Sequence, residues 1–423
     1  MKILIYGINF APEPTGIGRY TGELAEYLAS KGHLVRVITA PPYYPGWAIS
    51  NGFLNRYVCE RWDAVEVLRC PLYVPRHPSG FSRILHLLSF ALLSAPRLWQ
   101  QQGWRPDVVI SIAPSLFCAP LARRLARWVG ALSLLHIQDL ELDAAQSLGL
   151  LGRLARLQTW VRRWEQRQLT GFDLVSTISE GMMRRLVEKQ VSPDRLHLMP
   201  NWVDVDRIRP NPQPSLLRRE LGIPNQARVC LYSGSMNRKQ GLELLGTAAR
   251  RLADDPNLYW VFCGQGPTRA ELMEQCRNLP QVRFLDLQPE DRLNDLLNLA
   301  DLHLLPQKAG VSDLVMPSKL LGMLASGRPV LATAPQNSDL YRLVSKCGVC
   351  TPPGDAEAFA RAVQQLLNSP ARRQMLGAQA RDLAVQQFSR DAVLSRFESL
   401  LRTRSAQMIR PEPAEVPQLV RLS

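Results

Sequence analysis

No stretch of this sequence is apolar for long enough to cross a bilayer. The longest, Ile84 to Ala95, contains His86 and two serines and ends at Pro96; it is well short of the ~20 residues a membrane-spanning helix needs. Such a segment is left as a buried helix or as one lying on a membrane surface. A secretory leader is not expected, because Met1–Tyr6 reads as one short strand running directly into polar residues. Metal-type cysteine spacing is also scarce. Of the eight cysteines only Cys347 and Cys350 form a C-x-x-C pair, with no second pair or neighbouring histidines to complete a zinc site. The pair reads as an ordinary strand edge, and scattered thiols fit a reducing cytoplasm. Acidic residues are in the minority, 37 against 51 Lys and Arg, and the excess is spread over both halves of the chain. The balance favours an anionic partner, whether nucleotide, polyphosphate lipid, membrane surface or nucleic acid, without choosing among them.

What is present is enough apolar sequence for two cores. The 423 residues are 46% hydrophobic and 21% charged, which suits two globular domains of roughly 200 residues each. Residues 2–6 read as a strand. A helix carrying Ile17, Tyr20, Leu24, Tyr27 and Leu28 on one face follows, then a strand at 34–38, a βαβ unit. Gly16-Ile17-Gly18 opens that helix but is not a dinucleotide fingerprint, since Thr21 stands where the third glycine belongs. Its glycines are expected to let backbone approach a ligand or a partner domain. Further strands at 107–111, 132–136, 173–177 and 195–199 give a doubly wound α/β domain over 1–205. Prolines at 210, 212, 214 and 224 mark a linker at 206–226. A second doubly wound parallel-sheet domain spans 227–385. A helix at 386–404 could pack back on the first domain, and 405–423 reads as a disordered tail.

Several positions carry chemistry. Asp301–Thr333 reads as strand, loop, helix and strand, with Asp313, Ser318, Lys319 and Leu320 at the loop and helix start. In a parallel sheet that place lies beyond the strand ends, where helix N-termini favour phosphate. Ser233-Gly234-Ser235 precedes another helix, with Arg238 and Lys239 in the same turn. His136 and Asp139 sit just past a strand end in the first domain. Asp204-Val205-Asp206 has a metal-binding look but lies in a turn-rich stretch and is read as turn chemistry, so no metal is expected. Arg153, Arg156, Arg162, Arg163 and Arg167 surround Trp160 and Trp164; this is either a solvated helix face or an anionic contact.

Six ordered segments carry a family resemblance: NFAPEPTGIGRYTGELAEYLASKGHLVRVITAPPYYP at 9–45, HIQDLELDAAQSLG at 136–149, STISEGM at 176–182, MPNWVDVD at 199–206, YSGSMNRKQGLELL at 232–245 and MPSKLLGMLASGRPVLAT at 316–333. Over about residues 1–400 the chain resembles the GT-B retaining glycosyltransferases of the family 4 type, closest to those of colanic acid and exopolysaccharide biosynthesis. The resemblance implies two Rossmann-like domains facing a cleft, and metal-independent transfer of a sugar from a nucleotide-sugar to a glycan or lipid-linked glycan acceptor at the cytoplasmic membrane face. It assigns Ser233, Gly234, Arg238, Lys239, Asp313, Ser318, Lys319 and Leu320 to the donor, with Lys239 slightly favoured over Arg238 at the diphosphate. His136, Asp139 and Lys239 fall to the reaction centre, and Gly16, Ile17 and Gly18 to an acceptor-side loop. Many members carry two glutamates eight positions apart; here the second falls on Gly322 and the neighbourhood of the first offers Asp313. Peripheral contact with an anionic membrane is expected of Ile84–Ala95, flanked by Arg83 and Arg97, together with the basic 153–167 region. Two other readings share some of these features: a UDP-sugar epimerase of the same fold, and a non-catalytic basic protein binding nucleic acid. Against the latter, the arginines follow no nucleic-acid-binding module.

Overall fold

The computed structural model describes residues 1–13, 16–140, 155–308 and 317–409. Near-continuous apolar runs such as Ile3-Leu4-Ile5 form strands buried on both faces, as parallel sheets covered by helices require. The first sheet contains β1 (Lys2–Tyr6), β2 (Leu34–Thr39), β3 (Val58–Trp62), β4 (Val65–Arg69), β5 (Val108–Ala113), β6 (Leu132–Ile137), β7 (Leu174–Thr177) and β8 (Leu196–Leu198), in the order β3-β4-β2-β1-β5-β6-β7-β8. β3 is antiparallel to β4, while β1 pairs in parallel with β2 and β5. The second sheet contains β9 (Arg228–Ser233), β10 (Leu258–Cys263), β11 (Val282–Leu285), β12 (Leu302–Leu305), β13 (Val330–Thr333) and β14 (Gly348–Thr351). It is parallel throughout, in the order β11-β10-β9-β12-β13-β14. The two doubly wound α/β domains expected from the sequence are present.

The chain forms two compact units. One comprises Met1–Thr177, Leu186–His197 and the chain from Leu394 on; the other comprises Ile178–Arg185 and Leu198–Val393. Residues 206–226, whose composition suggests a linker, are packed into the second unit: Ile208, Leu217 and Ile223 are buried, and Ser215 caps a short helix, Leu216–Glu220, through the Leu217 N–H. Helix Arg390–Ile409 runs past the boundary read at 404, and its buried Leu394 and Leu401 lie in the part grouped with the first unit. There Glu398 meets the ring of buried His33 at 2.9 Å. Residues 410–423 lie outside the described part.

Two first-unit elements depart from the sequence reading. The β3–β4 hairpin is edge structure, and β3 alternates half-buried and exposed positions with a polar Cys59-Glu60-Arg61 centre, too weak an apolar signal to mark it. Helix α1 spans Ile17–Ser30, and α2 spans Gly80–Trp104, running through Pro96. Pro96 is exposed, as is Leu92, the residue whose carbonyl the proline leaves without its helical donor. Among the described residues no helix is long and apolar enough to cross a membrane. Cys350 lies in the edge strand β14, beside buried Cys347; burial pushes their thiols up to about 12 and about 11.

Candidate functional site

In the second sheet the strand order reverses between β9 and β12, and the carboxyl ends of such a pair border the crevice where open α/β sheets take ligands. Tyr232, the last residue but one of β9, lies in the core, and its Oη donates to the Ser235 carbonyl at 2.6 Å. The loop that follows is held largely by backbone, with Thr268 Oγ1 also donating to Met236 O at 2.9 Å. Gly234 N–H donates to Cys263 O (2.9 Å), Met236 N–H to Gln265 O (2.8 Å), and Thr268 N–H back to Met236 O (3.1 Å). This close approach demands glycine: a Cβ on Gly264, at φ +146°, would stand 2.0 Å from the Gly234 oxygen.

Into this corner reaches Lys319, the first residue of helix Lys319–Ala325 after β12. Its Nζ lies 4.2 Å from the Tyr232 ring centroid, 3.1 Å from Tyr232 Oη and 3.0 Å from Gln240 Oε1. A Cβ on Gly234 would be 3.4 Å from that Nζ. Among the described residues no carboxylate pairs with it, and burial pushes its ammonium down to about 7. Near neutral pH it is therefore poised to gain a full charge when an anion arrives. Next to the end of β12, Gln307 is fixed by its N–H to Thr333 Oγ1 (2.7 Å), yet its buried Oε1 has no partner among the described residues. Such an acceptor suits a ligand hydroxyl or amide.

Of the donor residues read from sequence, the structure brings Gly234 and Lys319 together, with Ser233 half-buried at the end of β9. Arg238 and Lys239 are exposed in the short turn Arg238–Gln240, where Asn237 Oδ1 caps the Lys239 N–H at 3.1 Å. Lys239, slightly favoured over Arg238 at the diphosphate, stands on the outside of this turn, which aims Gln240 at the buried corner that Lys319 enters. Ser318 is exposed, and Leu320 is a buried core residue that supports the helix. Gly322 has Leu297 Cδ1 3.2 Å from where a Cβ would sit. Asp313 lies outside the described residues. Sequence reasoning missed Tyr232, Gln240 and Gln307; only the proximity of Gln240 to Gly241, which adopts φ +66°, hinted that its turn is structured.

In the first unit the reversal lies between β1 and β5. His136, on β6, is buried with both nitrogens engaged. Gln138 Nε2 can only donate, so His136 Nε2 accepts (2.9 Å) and Nδ1 carries the proton toward Ser176 Oγ (2.8 Å). Burial holds its pKa down to about 4, so it is neutral near pH 7. In this arrangement His136 is a fixed core histidine and has no free nitrogen for a reacting group. Asp139, half-buried, follows it. Beyond β1, a residue that sequence reasoning passed over dominates: the buried Glu13 carboxyl accepts from Asn9 Nδ2 (3.2 and 3.0 Å) and from the N–H groups of Tyr43 (3.3 Å) and Tyr44 (3.2 Å). Burial pushes it up to about 7, against the pull of those donors and of Arg69. Gly18 and Gly22 make room: a Cβ on Gly18 would stand 2.3 Å from Glu13 Oε2, and one on Gly22 2.8 Å from Ala11 Cβ. The close approach expected at Gly16-Ile17-Gly18 is, at Gly18, to the chain's own loop. Gly16 is exposed at φ +69°, and Ile17 is half-buried as the first residue of α1.

Residues 15–202 match the family model for a glycosyl transferase 4-like domain, and 215–383 match that for glycosyl transferases group 1. The chain is 42% identical to Escherichia coli WcaI, described as a colanic acid biosynthesis glycosyl transferase, over 95% of this chain and all of that protein. Solved structures that share its fold include the sucrose-phosphate synthase of Thermosynechococcus elongatus (TM-score 0.74, 19% identity, 96% of this chain and 100% of that one) and Anabaena HepE in complex with UDP (0.69, 16%, 95% and 100%).

Proposed function

The chain belongs to the glycosyltransferase family of the colanic acid biosynthesis enzymes, and we propose that it moves a sugar, with retention and without a metal, from a nucleotide-sugar to a lipid-linked exopolysaccharide intermediate at the cytoplasmic membrane face. The observation that carries the donor assignment is the Lys319 ammonium, held 3.1 Å from Tyr232 Oη and 3.0 Å from Gln240 Oε1 with no anionic partner among the described residues. A diphosphate placed there neutralises the cation, and the exposed Arg238 and Lys239 serve its outer oxygens. Ser233, Gly234 and Ser318 border the same ligand, and Gln307 Oε1 takes one of its hydroxyl or amide donors. UDP bound to a protein of the same fold is in keeping with this reading.

In the transfer, an acceptor hydroxyl oxygen forms a bond to the anomeric carbon as the bond from that carbon to the diphosphate oxygen breaks. The electron pair of the broken bond stays on the diphosphate, where Lys319 and the turn cations stabilise the developing charge. The hydroxyl proton passes to the departing phosphate oxygen on the same face, so no protein base is required. The loop around Gly16-Ile17-Gly18, stiffened by Glu13, bounds the acceptor; Asp139 orients its hydroxyl. His136 acts as a positioning residue for the strand end.

A thermal-shift panel of GDP-, UDP- and dTDP-sugars tests the assignment. The true donor at 100 times its dissociation constant stabilises the fold by about 2.7 kcal/mol, and no shift from any of them contradicts the reading. Product analysis in the absence of acceptor separates transfer from epimerisation: a changed sugar released without acceptor identifies an epimerase.

A further inference from the structure

The second unit contains a cavity of about 460 Å³ at the end of its sheet away from Lys319. Asp301, just before β12, and Arg328 and Pro329, just before β13, line it, so it lies at the amino ends of these strands. Lys319 stands beyond the carboxyl end of β12. The other wall is helix Pro370–Phe388, which turns Arg373, Gln374, Arg381 and Asp382 toward the cavity from one side. Glycine brings the two walls together: a Cβ on Gly377 would stand 2.3 Å from the Gly327 oxygen, and one on Gly327, at φ +67°, 2.8 Å from Pro210 Cγ. Backbone touches backbone there, and the cavity lies beside the contact.

Arginine dominates the lining, and its donors are only partly used. Arg328 is half-buried; its Nε is enclosed without a partner, and its guanidinium forms no ion pair among the described residues. The Asp301 carboxylate in the same wall is already held by Arg218 Nη2 (3.0 Å) and the Val229 N–H (2.9 Å). Arg373 gives only Nη1 to the protein, to the carbonyls of Leu366 and Leu367. Arg381 gives Nη1 to Ile208 O (2.8 Å) and Ala325 O (2.9 Å), and Nη2 to Val205 O (2.9 Å). A buried donor without an acceptor costs free energy until one arrives, and the guanidinium fork matches two oxygens of a phosphate. The rim narrows the choice. Gln374 and Asp382 are exposed there. A carboxylate repels a second phosphate and accepts from sugar hydroxyls, so a single phosphate on a hydroxylated body fits better than a diphosphate.

We propose that this cavity binds a sugar phosphate, with the phosphate monoester on Arg328 between Arg373 and Arg381 and the sugar hydroxyls on Asp382 and Gln374. The site shares no side chain with the Lys319 corner and does not rest on the reading of that corner. One element joins the two: helix Lys319–Ala325 starts at Lys319, and the Ala325 carbonyl at its end is held by Arg381.

Calorimetric titration of the full chain with glucose 6-phosphate, inorganic phosphate and glucose, without any nucleotide-sugar, tests the proposal. The wild type is expected to bind glucose 6-phosphate more tightly than inorganic phosphate, and glucose not measurably. Arg328→Gln is expected to lose roughly tenfold or more of the affinity for glucose 6-phosphate. Its melting temperature without ligand should be no lower than that of the wild type, because no partner is orphaned. Asp382→Ala is expected to lose roughly threefold for glucose 6-phosphate and nothing for inorganic phosphate. Lys319→Ala is expected to bind glucose 6-phosphate as the wild type does, whatever becomes of its donor binding. Four outcomes overturn the proposal: no binding of glucose 6-phosphate at millimolar concentration, Arg328→Gln binding it as the wild type does, Asp382→Ala doing the same, or binding that Lys319→Ala abolishes.

Discussion

Lys319 is a cation whose burial without a counter-ion disfavours its own charge, and that fixes how it behaves toward a ligand. Its folded pKa, about 7, lies below the ordinary 10.5, so the cost of burying the ammonium is absent above the ordinary value and builds as pH falls toward 7. A bound diphosphate raises that pKa again. Nucleoside diphosphate binding should therefore take up protons between about pH 7 and 9 and weaken as pH rises through that window. Calorimetry in two buffers of different ionisation enthalpy measures the uptake, and an equal heat in both contradicts it. Glu13 has the opposite sign. Burial pushes its carboxyl up to about 7 from an ordinary 4.5, so its stabilisation is complete below 4.5 and is lost as pH rises through 7. The melting temperature of the wild type should fall more steeply between about pH 5 and pH 8 than that of Glu13→Gln, which has no titration there. Parallel curves would remove Glu13 from the account. Neither residue could be ranked from sequence. Lys319 was visible as one of three nearby cations, but which one enters the protein depends on how the Asn237-capped turn points its side chains. Glu13, set between two prolines in a polar loop, looks like surface until Gly18, Tyr43 and Tyr44 close around it.

At the scale of elements, glycine is where loop geometry and function meet. Gly264 and Gly354 both have positive φ, but a Cβ on Gly264 would run into the Gly234 carbonyl, whereas one on exposed Gly354 meets nothing within 4 Å. Gly354→Ala should cost about 1 kcal/mol, the backbone strain alone. Gly264→Ala should cost at least about 2 kcal/mol more, because the β9 and β10 loops must part. Urea unfolding of both variants measures the difference, and equal costs would mean that the two loops are not locked together. The strongly apolar strands were legible in the sequence because parallel strands must be buried on both faces, as the central ones of both sheets show. The edge strand β3 was not, because a strand half in water with polar residues at its centre carries little periodic signal. Nor was the full length of α2, since a proline signals a helix end, yet here the helix runs through Pro96 with packing of Phe90, Ser94, Leu98 and Gln101 on both sides of it.

For the whole molecule, the repeated β/α order announced two doubly wound sheets, and the ordered motifs announced a glycosyltransferase. Composition was a poorer guide to where one unit stops. Prolines at 210, 212, 214 and 224 look like a tether, yet Ile208, Leu217 and Ile223 bury themselves in the second unit, and the chain after Leu394 returns to the first. Apolar residues inside a proline-rich stretch were the available sign. The central claim is that this second unit holds the donor diphosphate on Lys319. Titration of wild type and Lys319→Ala with the nucleoside diphosphate of the stabilising sugar series tests it most directly. Loss of a charge-assisted contact worth about 2–3 kcal/mol predicts roughly 30- to 150-fold weaker binding. The melting temperature of the empty variant should be no lower than that of the wild type, because no buried partner is orphaned. Equal affinity in the two proteins would contradict the account.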